Sequence, residues 1–245
     1  MAVYTDDAPG LLAGIVVAVD GPSGAGKSSV SRGVATRLGL RYLDTGSTYR
    51  ALTWWLLERG VDVTDADAVA VLAAEPVLSV GTHPGRATIE VGGTDVARAI
   101  RGPEVTRAVS AVSAVPAVRS RLAALQRAII GDGGIVVEGR DTGTVVTPDA
   151  QVKIYLTAAA EARAQRRNAE LVDPAATAAA TLQDLTRRDR FDSTRAAAPL
   201  AKAPDAHEVD ATHLTLPQVI DRIVALVREA GYSNAARVPG GGAAG

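Results

Sequence analysis

Apolar positions fall into short runs that alternate with segments of helical period. Ile15–Asp20, "IVVAVD", is short, continuous and β-branched, which predicts a buried strand. Lys27 to about Leu38 reads as a helix closed by Gly39. "RYLD" (41–44) is a second short strand. Ser47–Gly60 is a helix ending on a glycine, and 65–75 is another with Asp65 as its N-cap. Over 77–102 the texture changes. Strand-like runs are broken by Gly-Thr-His-Pro-Gly and Gly-Gly, the punctuation of small antiparallel hairpins. A subdomain inserted at about 70–112 is therefore expected. Helices follow at 104–114 and 116–130, strands at 135–141 and 152–156, and helices at 158–170 and 177–192. A strand at 206–211 and a helix at 217–230 close the pattern. The short biased stretch 172–180 reads as a helix start or a turn, and no internal repeat is visible.

Strands and helices alternating through short loops argue for an α/β fold with a central parallel sheet flanked by helices. Ligands of such sheets sit at the C-terminal ends of the strands. The expected domain spans 14–232, between loose tails at 1–13 and 233–245.

Composition narrows the class. The chain has 245 residues, 47% hydrophobic and 22% charged, enough for a sizeable core. Its net charge of −1 supplies no global field toward nucleic acid or membrane. It has no cysteine, so disulfides and thiolate metal sites are excluded. The acidic start lacks a basic segment before an apolar core, and no apolar run approaches the roughly 20 residues that span a bilayer. A soluble cytoplasmic protein is expected. Lysine occurs only at 27, 153 and 202, with arginine supplying the other positive charge. Nucleotide bias in the gene is one reading of that and phosphate-clamping arginines the other, and the positions of the arginines decide between them.

Gly21-Pro22-Ser23-Gly24-Ala25-Gly26-Lys27-Ser28 fits G-x-x-x-x-G-K-[ST] between a strand and a helix. The glycines let backbone N–H groups turn inward around phosphate oxygens, and the helix N-terminus adds partial positive charge. Lys27 is expected to reach the β- and γ-phosphates. Ser28, with Ser29 able to share the task, is expected to face Mg²⁺. The motif specifies a nucleoside triphosphate and no more. A regulatory GTPase would carry N-K-x-D and D-x-x-G motifs, and neither is visible. A motor ATPase would end its strand in a clear metal-binding Asp, where here Glu138 stands with Asp141 beyond it.

Arginines cluster where strands and helices end. "LDTGSTYR" carries Thr45 and Arg50, and "EGRD" carries Arg140 and Asp141. Arg188, Asp192 and Arg195 share a helix face at i, i+4 and i+7, as do Arg163, Arg166 and Arg167 at i, i+3 and i+4. Taken alone, each set reads as a solvated face. Together, at strand ends, they suit phosphoryl transfer between anions, because arginine stays charged and grips phosphate bidentately. His83, His207 and His213 have no partner pattern, and Trp54 and Trp55 read as core.

"VDGPSGAGKSS", "YLDTGSTYRA", the hairpin insert followed by "IRGPEVTRAVSAVSAVPAVR", "VVEGRDTGTVVTPDAQVKIYLTA", "ARAQRR" and "RRDRFDSTRAAAPL" together resemble the bacterial cytidylate kinase family, in order over about 15–230. The resemblance implies a P-loop kinase core, an inserted nucleotide-monophosphate-binding subdomain and a helical lid at about 158–192. It implies transfer of the γ-phosphoryl of ATP to CMP or dCMP, with Lys27, Arg140 and Arg188 catalytic and Gly21–Ser29 holding ATP. Arg50, Arg140, Arg188 and Arg195 would hold the acceptor's phosphate and sugar, with Thr45 and Asp192 at the sugar side. Ser110, Arg119 and Asp141 would read cytosine, and Arg163, Arg166 and Arg167 would begin the lid. The family's habit is a monomer, with no nucleic-acid or membrane partner. Thr45 stands where serine is also common, Glu138 where related chains can have Asp, and Phe191 among usually polar neighbours. The rivals are a kinase of another acceptor, such as UMP, AMP or shikimate, and a non-catalytic nucleotide- or nucleic-acid-binding module.

Overall fold

The computed structural model describes residues 12–170, 178–195 and 198–237. Most of both expected tails and most of the 172–180 stretch lie outside them. Chain order begins with β1 (Val16–Asp20), α1 (Lys27–Leu38), β2 (Arg41–Asp44), α2 (Thr45–Glu58) and α3 (Ala66–Leu72). The short strands β3 (Leu78–Val80), β4 (Ile89–Val91) and β5 (Thr94–Asp95) come next, then α4 (Pro103–Ala114) and α5 (Pro116–Ile130). β6 (Ile135–Glu138) is followed by a π-helical turn at Thr142–Val146, β7 (Val152–Thr157), α6 (Ala160–Glu170) and α7 (Ala178–Thr194). β8 (His207–Asp210) and α8 (Leu216–Arg237) complete it.

Five strands form a parallel sheet in the order β2-β6-β1-β7-β8. Both faces are covered, which is why the strands read as continuous apolar runs instead of alternating ones. Val17, Val19, Val136, Ile154 and Leu156 pack with Val30 and Val34 of α1 and with Ile223 and Val227 of α8. Leu43, Ile135 and Val137 pack on the other face with Ile130 of α5 and with Val146. The texture change at 77–102 is a separate antiparallel sheet, β3-β4-β5. It shares a second core with α2, α4 and α5, built on Leu52, Trp55, Leu56, Val91, Ile100, Val112 and Leu122.

Three boundaries differ from the sequence pattern for local reasons. α2 starts at Thr45, not Ser47, because the Asp44 carboxylate caps it, accepting from the Ser47 N–H at 3.1 Å. The strand expected over 135–141 stops at Glu138. Gly139 then turns the chain away where a Cβ would lie 2.5 Å from the Thr45 hydroxyl and 2.6 Å from that of Thr142. α8 continues to Arg237, through the first residues assigned to a tail. Among the described residues, no single helix is long and apolar enough to cross a membrane.

Candidate active site

β1, β2 and β6 end side by side, and each ends in a carboxylate: Asp20, Asp44 and Glu138. The phosphate loop leaves β1 at Gly21, whose φ of 147° and approach to the Leu156 carbonyl, 2.0 Å from any Cβ placed there, admit no side chain. The Lys27 ammonium curls into this loop and donates to the carbonyls of Gly21 and Pro22, each at 2.8 Å.

A cleft of about 230 Å³ runs from the loop to the helices opposite. It is lined by Ser23, Gly24, Gly26, Lys27, Ser28 and Ser29 on one side, and by Thr45, Arg50, Ser110, Arg119, Arg140, Asp141, Arg188, Asp192 and Arg195 on the other. All nine expected acceptor residues thus meet the phosphate loop in one cavity. Seven basic side chains and four carboxylates line it, so its local field favours anions in a chain of net charge −1.

The arginines are already oriented. Arg140 donates from Nε to Asp192 at 3.1 Å and from its terminal nitrogen to the Ser23 hydroxyl at 2.8 Å. Arg195 lies 3.6 Å from Asp192. Arg50 donates to the Ile100 carbonyl at 2.9 Å and to the Thr106 hydroxyl at 3.0 Å. Arg119 pairs with Asp141, donates to the Ser113 carbonyl at 3.1 Å, and lies over the Tyr49 ring at 5.4 Å. The Nε–H groups of Arg119 and Arg195 are buried without a hydrogen-bond partner. The Thr45 hydroxyl donates to the Glu138 carbonyl at 2.7 Å, leaving its oxygen to accept.

Burial sets the protonation pattern. Burial, reinforced by Arg140, pushes the Lys27 ammonium down to about 7, against the pull of Glu138, Asp20 and Asp189. Burial and the neighbouring Asp44 push Glu138 up to about 7, against Lys27 and hydrogen bonds from Tyr42 and Ser28. The anionic oxygens of a triphosphate would draw Lys27 back toward its charged form. Burial also raises Asp141, outweighing the opposing Arg119.

Of the three arginines expected to begin the lid, the two with described side chains have different partners. Arg163 turns to the phosphate loop, donating to the Ser23 carbonyl at 2.9 Å. Arg166 is spent on the Ala211 carbonyl at 2.5 Å, beyond the end of β8. Helical spacing put both on one face, but their long side chains diverge. The Arg167 side chain is not among those described. Sequence reasoning also missed four groups, Asp20 and Tyr42 buried and Asp44 and Asp189 partly buried. Asp20 accepts from the N–H groups of Thr142 and Gly143, at 2.8 and 2.7 Å, and so holds the turn that carries Arg140 and Asp141. Tyr42 donates to Glu138. Asp44 caps α2, and Asp189 meets the Ser23 N–H at 2.8 Å. Only Asp44 had a local signal, as an Asp immediately before a helix.

For a magnesium ion, the donors at hand are the Ser28 hydroxyl and the carboxylates beside it, oxygen ligands suited to a hard cation. Among the described residues, no cluster of three or more His, Cys, Asp or Glu could hold a metal ion. This donor set fits an ion carried chiefly by ATP phosphates.

A phosphate loop and a separate basic wall, facing each other across the C-terminal edge of a parallel sheet, define a P-loop kinase. The family model for cytidylate kinase matches residues 17–229. A cytidylate kinase of Streptomyces avermitilis is 56% identical over 217 residues, covering 88% of this chain and 93% of that one. Those of Streptomyces coelicolor and Mycobacterium avium are 57% and 54% identical, covering 88% and 89% of this chain and 93% and 96% of theirs. The chain belongs to the cytidylate kinase family.

Proposed function

We propose that the protein transfers the γ-phosphoryl group of ATP to CMP or dCMP, yielding ADP and CDP or dCDP. The observation that carries this reading is the convergence of Ser110, Arg119 and Asp141 with Arg50, Arg140, Arg188 and Arg195 in the cleft that the phosphate loop enters. Cytosine presents an N4 amine donor beside the N3 and O2 acceptors. The Asp141 carboxylate suits the amine, and the Arg119 guanidinium and the Ser110 hydroxyl suit the acceptors. Uracil, with a carbonyl at position 4, would meet Asp141 acceptor to acceptor.

The acceptor phosphate is itself the nucleophile, so no dedicated base is needed. Backbone N–H groups of Gly24–Ser28 and Lys27 hold the donor phosphates. Arg140 and Arg188 neutralise charge on the transferred group and align acceptor with donor. Arg50 and Arg195 grip the acceptor phosphate, with Thr45 and Asp192 at the sugar. Magnesium, when bound with ATP, neutralises phosphate charge, and Ser28 would hold it. The protein acts as a soluble, cytoplasmic monomer, with domain 14–232 carrying the insert at 70–112 and the lid at 158–192.

The test is ADP release from ATP and Mg²⁺ with CMP, dCMP, UMP, AMP, GMP and shikimate in turn, and with Lys27→Ala as the donor-site control. Strong turnover confined to CMP and dCMP, and lost in Lys27→Ala, is expected. Turnover with a different acceptor would void the base-reading residues. Absent turnover in folded, ATP-binding protein would favour the non-catalytic binding module, and ADP release without any acceptor would contradict both readings.

A further inference from the structure

Ser23, third residue of the phosphate loop, is 3% exposed, and all three of its polar groups are engaged by elements distant in sequence. Its N–H donates to Asp189 Oδ1 at 2.8 Å, its carbonyl accepts from Arg163 at 2.9 Å, and its hydroxyl accepts from Arg140 at 2.8 Å. Arg163 also pairs with the second oxygen of Asp189, and its Nε donates to the Ala158 carbonyl at 3.1 Å. The Asp189 and Arg163 side chains are only 17% and 12% exposed. One carboxylate therefore joins α6, α7 and the phosphate loop. A negative charge next to a site for polyphosphate is unfavourable unless it is neutralised and serves a purpose. Arg163 supplies the neutralisation.

We infer that Asp189 is a positioning residue for phosphoryl transfer, tying α7 to the phosphate loop through the Ser23 N–H and Arg163. Arg188 precedes it and Asp192 follows one turn later, so fixing Asp189 fixes the rotation of the helix that presents both to the cleft. Asp192 in turn orients Arg140, which returns to the Ser23 hydroxyl. The tether closes a ring of contacts from donor loop to acceptor arginines and back. Misplacement of such arginines by about 1 Å lowers turnover about 100-fold without abolishing binding. This inference rests on the phosphoryl-transfer reading above.

The experiment compares Asp189→Ala, Asp189→Asn, Arg163→Ala and the double Asp189→Ala/Arg163→Ala variant in the ADP-release assay with CMP, each with its melting temperature. For Asp189→Ala, kcat is expected to fall about 10- to 100-fold while KM for CMP moves less than about threefold. Asn keeps one acceptor oxygen and is expected to recover part of the loss. The double variant is expected to be no slower than the slower single, because the two groups act as a unit. A kcat within about twofold of wild type in Asp189→Ala, multiplicative losses in the double variant, or equal Asn and Ala losses that follow the melting temperature would each overturn the inference. Should Asp189→Ala not fold, Asp189→Asn takes its place in the cycle. Hydrogen exchange of the loop peptide reads the tether apart from turnover. Faster exchange around Ser23 in Asp189→Ala is expected, and unchanged exchange overturns the tether. Loss of CMP turnover in the wild type would instead overturn the functional reading while leaving this measurement interpretable.

Discussion

Replacing Asp141 by asparagine isolates base reading from folding. Asp141 is buried and paired with Arg119, which also donates to the Ser113 carbonyl. Alanine here would leave a buried guanidinium half-satisfied, a change that costs about 3–5 kcal/mol and would confound the assay. Asparagine can keep an oxygen on Arg119, which leaves its amide N–H₂ facing the base. Against cytosine, donor then meets the N4 donor. Against uracil, donor meets the O4 acceptor. Hydrogen bonds to charged groups are worth about 1.5–3 kcal/mol, so kcat/KM for CMP should fall about 10- to 150-fold. For UMP it should rise. The assay is ADP release at sub-KM acceptor, run for CMP and UMP on wild type and variant, with thermal melts to confirm that both are folded. A CMP/UMP ratio within about twofold of wild type would refute the placement of Asp141 at the cytosine amine.

Acidification should mimic that variant. Because burial holds Asp141 above the ordinary carboxylate range, lowering pH protonates it early and turns an acceptor into an O–H donor. The CMP/UMP ratio of kcat/KM cancels titrations common to both substrates. It should decline as pH falls in wild type, beginning above the ordinary carboxylate range, and stay flat in Asp141→Asn, and a flat wild-type profile would count against the assignment. Gly139→Ala should drive a methyl into the Thr45 and Thr142 hydroxyls and shift the turn carrying Arg140 and Asp141, lowering kcat/KM by at least about tenfold with the fold retained by circular dichroism. Arg41→Ala should do the reverse. It removes donors to the carbonyls of Ile129, Ile130 and Gly133 at the end of α5, lowering stability by about 1.5–3 kcal/mol in urea melts while leaving kcat near wild type.

How far the molecule was legible depended on how local its constraints are. The phosphate loop is a contiguous motif between a strand and a helix, so eight residues and their flanks revealed it. The parallel sheet was legible because burial on both faces leaves long apolar runs. The small antiparallel sheet was legible because glycine-rich turns break the βα rhythm. The arginines of the cleft were found by type and by position at strand and helix ends, and the resemblance assigned them their parts. Asp189, Asp20 and Tyr42 were not found. Their partners lie 166, 122 and 96 residues away, and an aspartate in a helix or at a strand end looks the same whether it faces solvent or a backbone N–H. For Arg163 and Arg166 the shared helix face was legible but their partners were not, since helical spacing fixes where a Cβ points but not where a guanidinium several bonds further on finds its carbonyl.

The most direct measurement of the central claim is a one-pot competition. Wild-type protein receives limiting ATP with Mg²⁺ and equal concentrations of CMP and UMP, and phosphorus NMR identifies the diphosphates formed. The account predicts CDP in large excess over UDP, with ADP equal to the sum of the two. CDP and UDP in equal amounts, or ADP without either diphosphate, would contradict it.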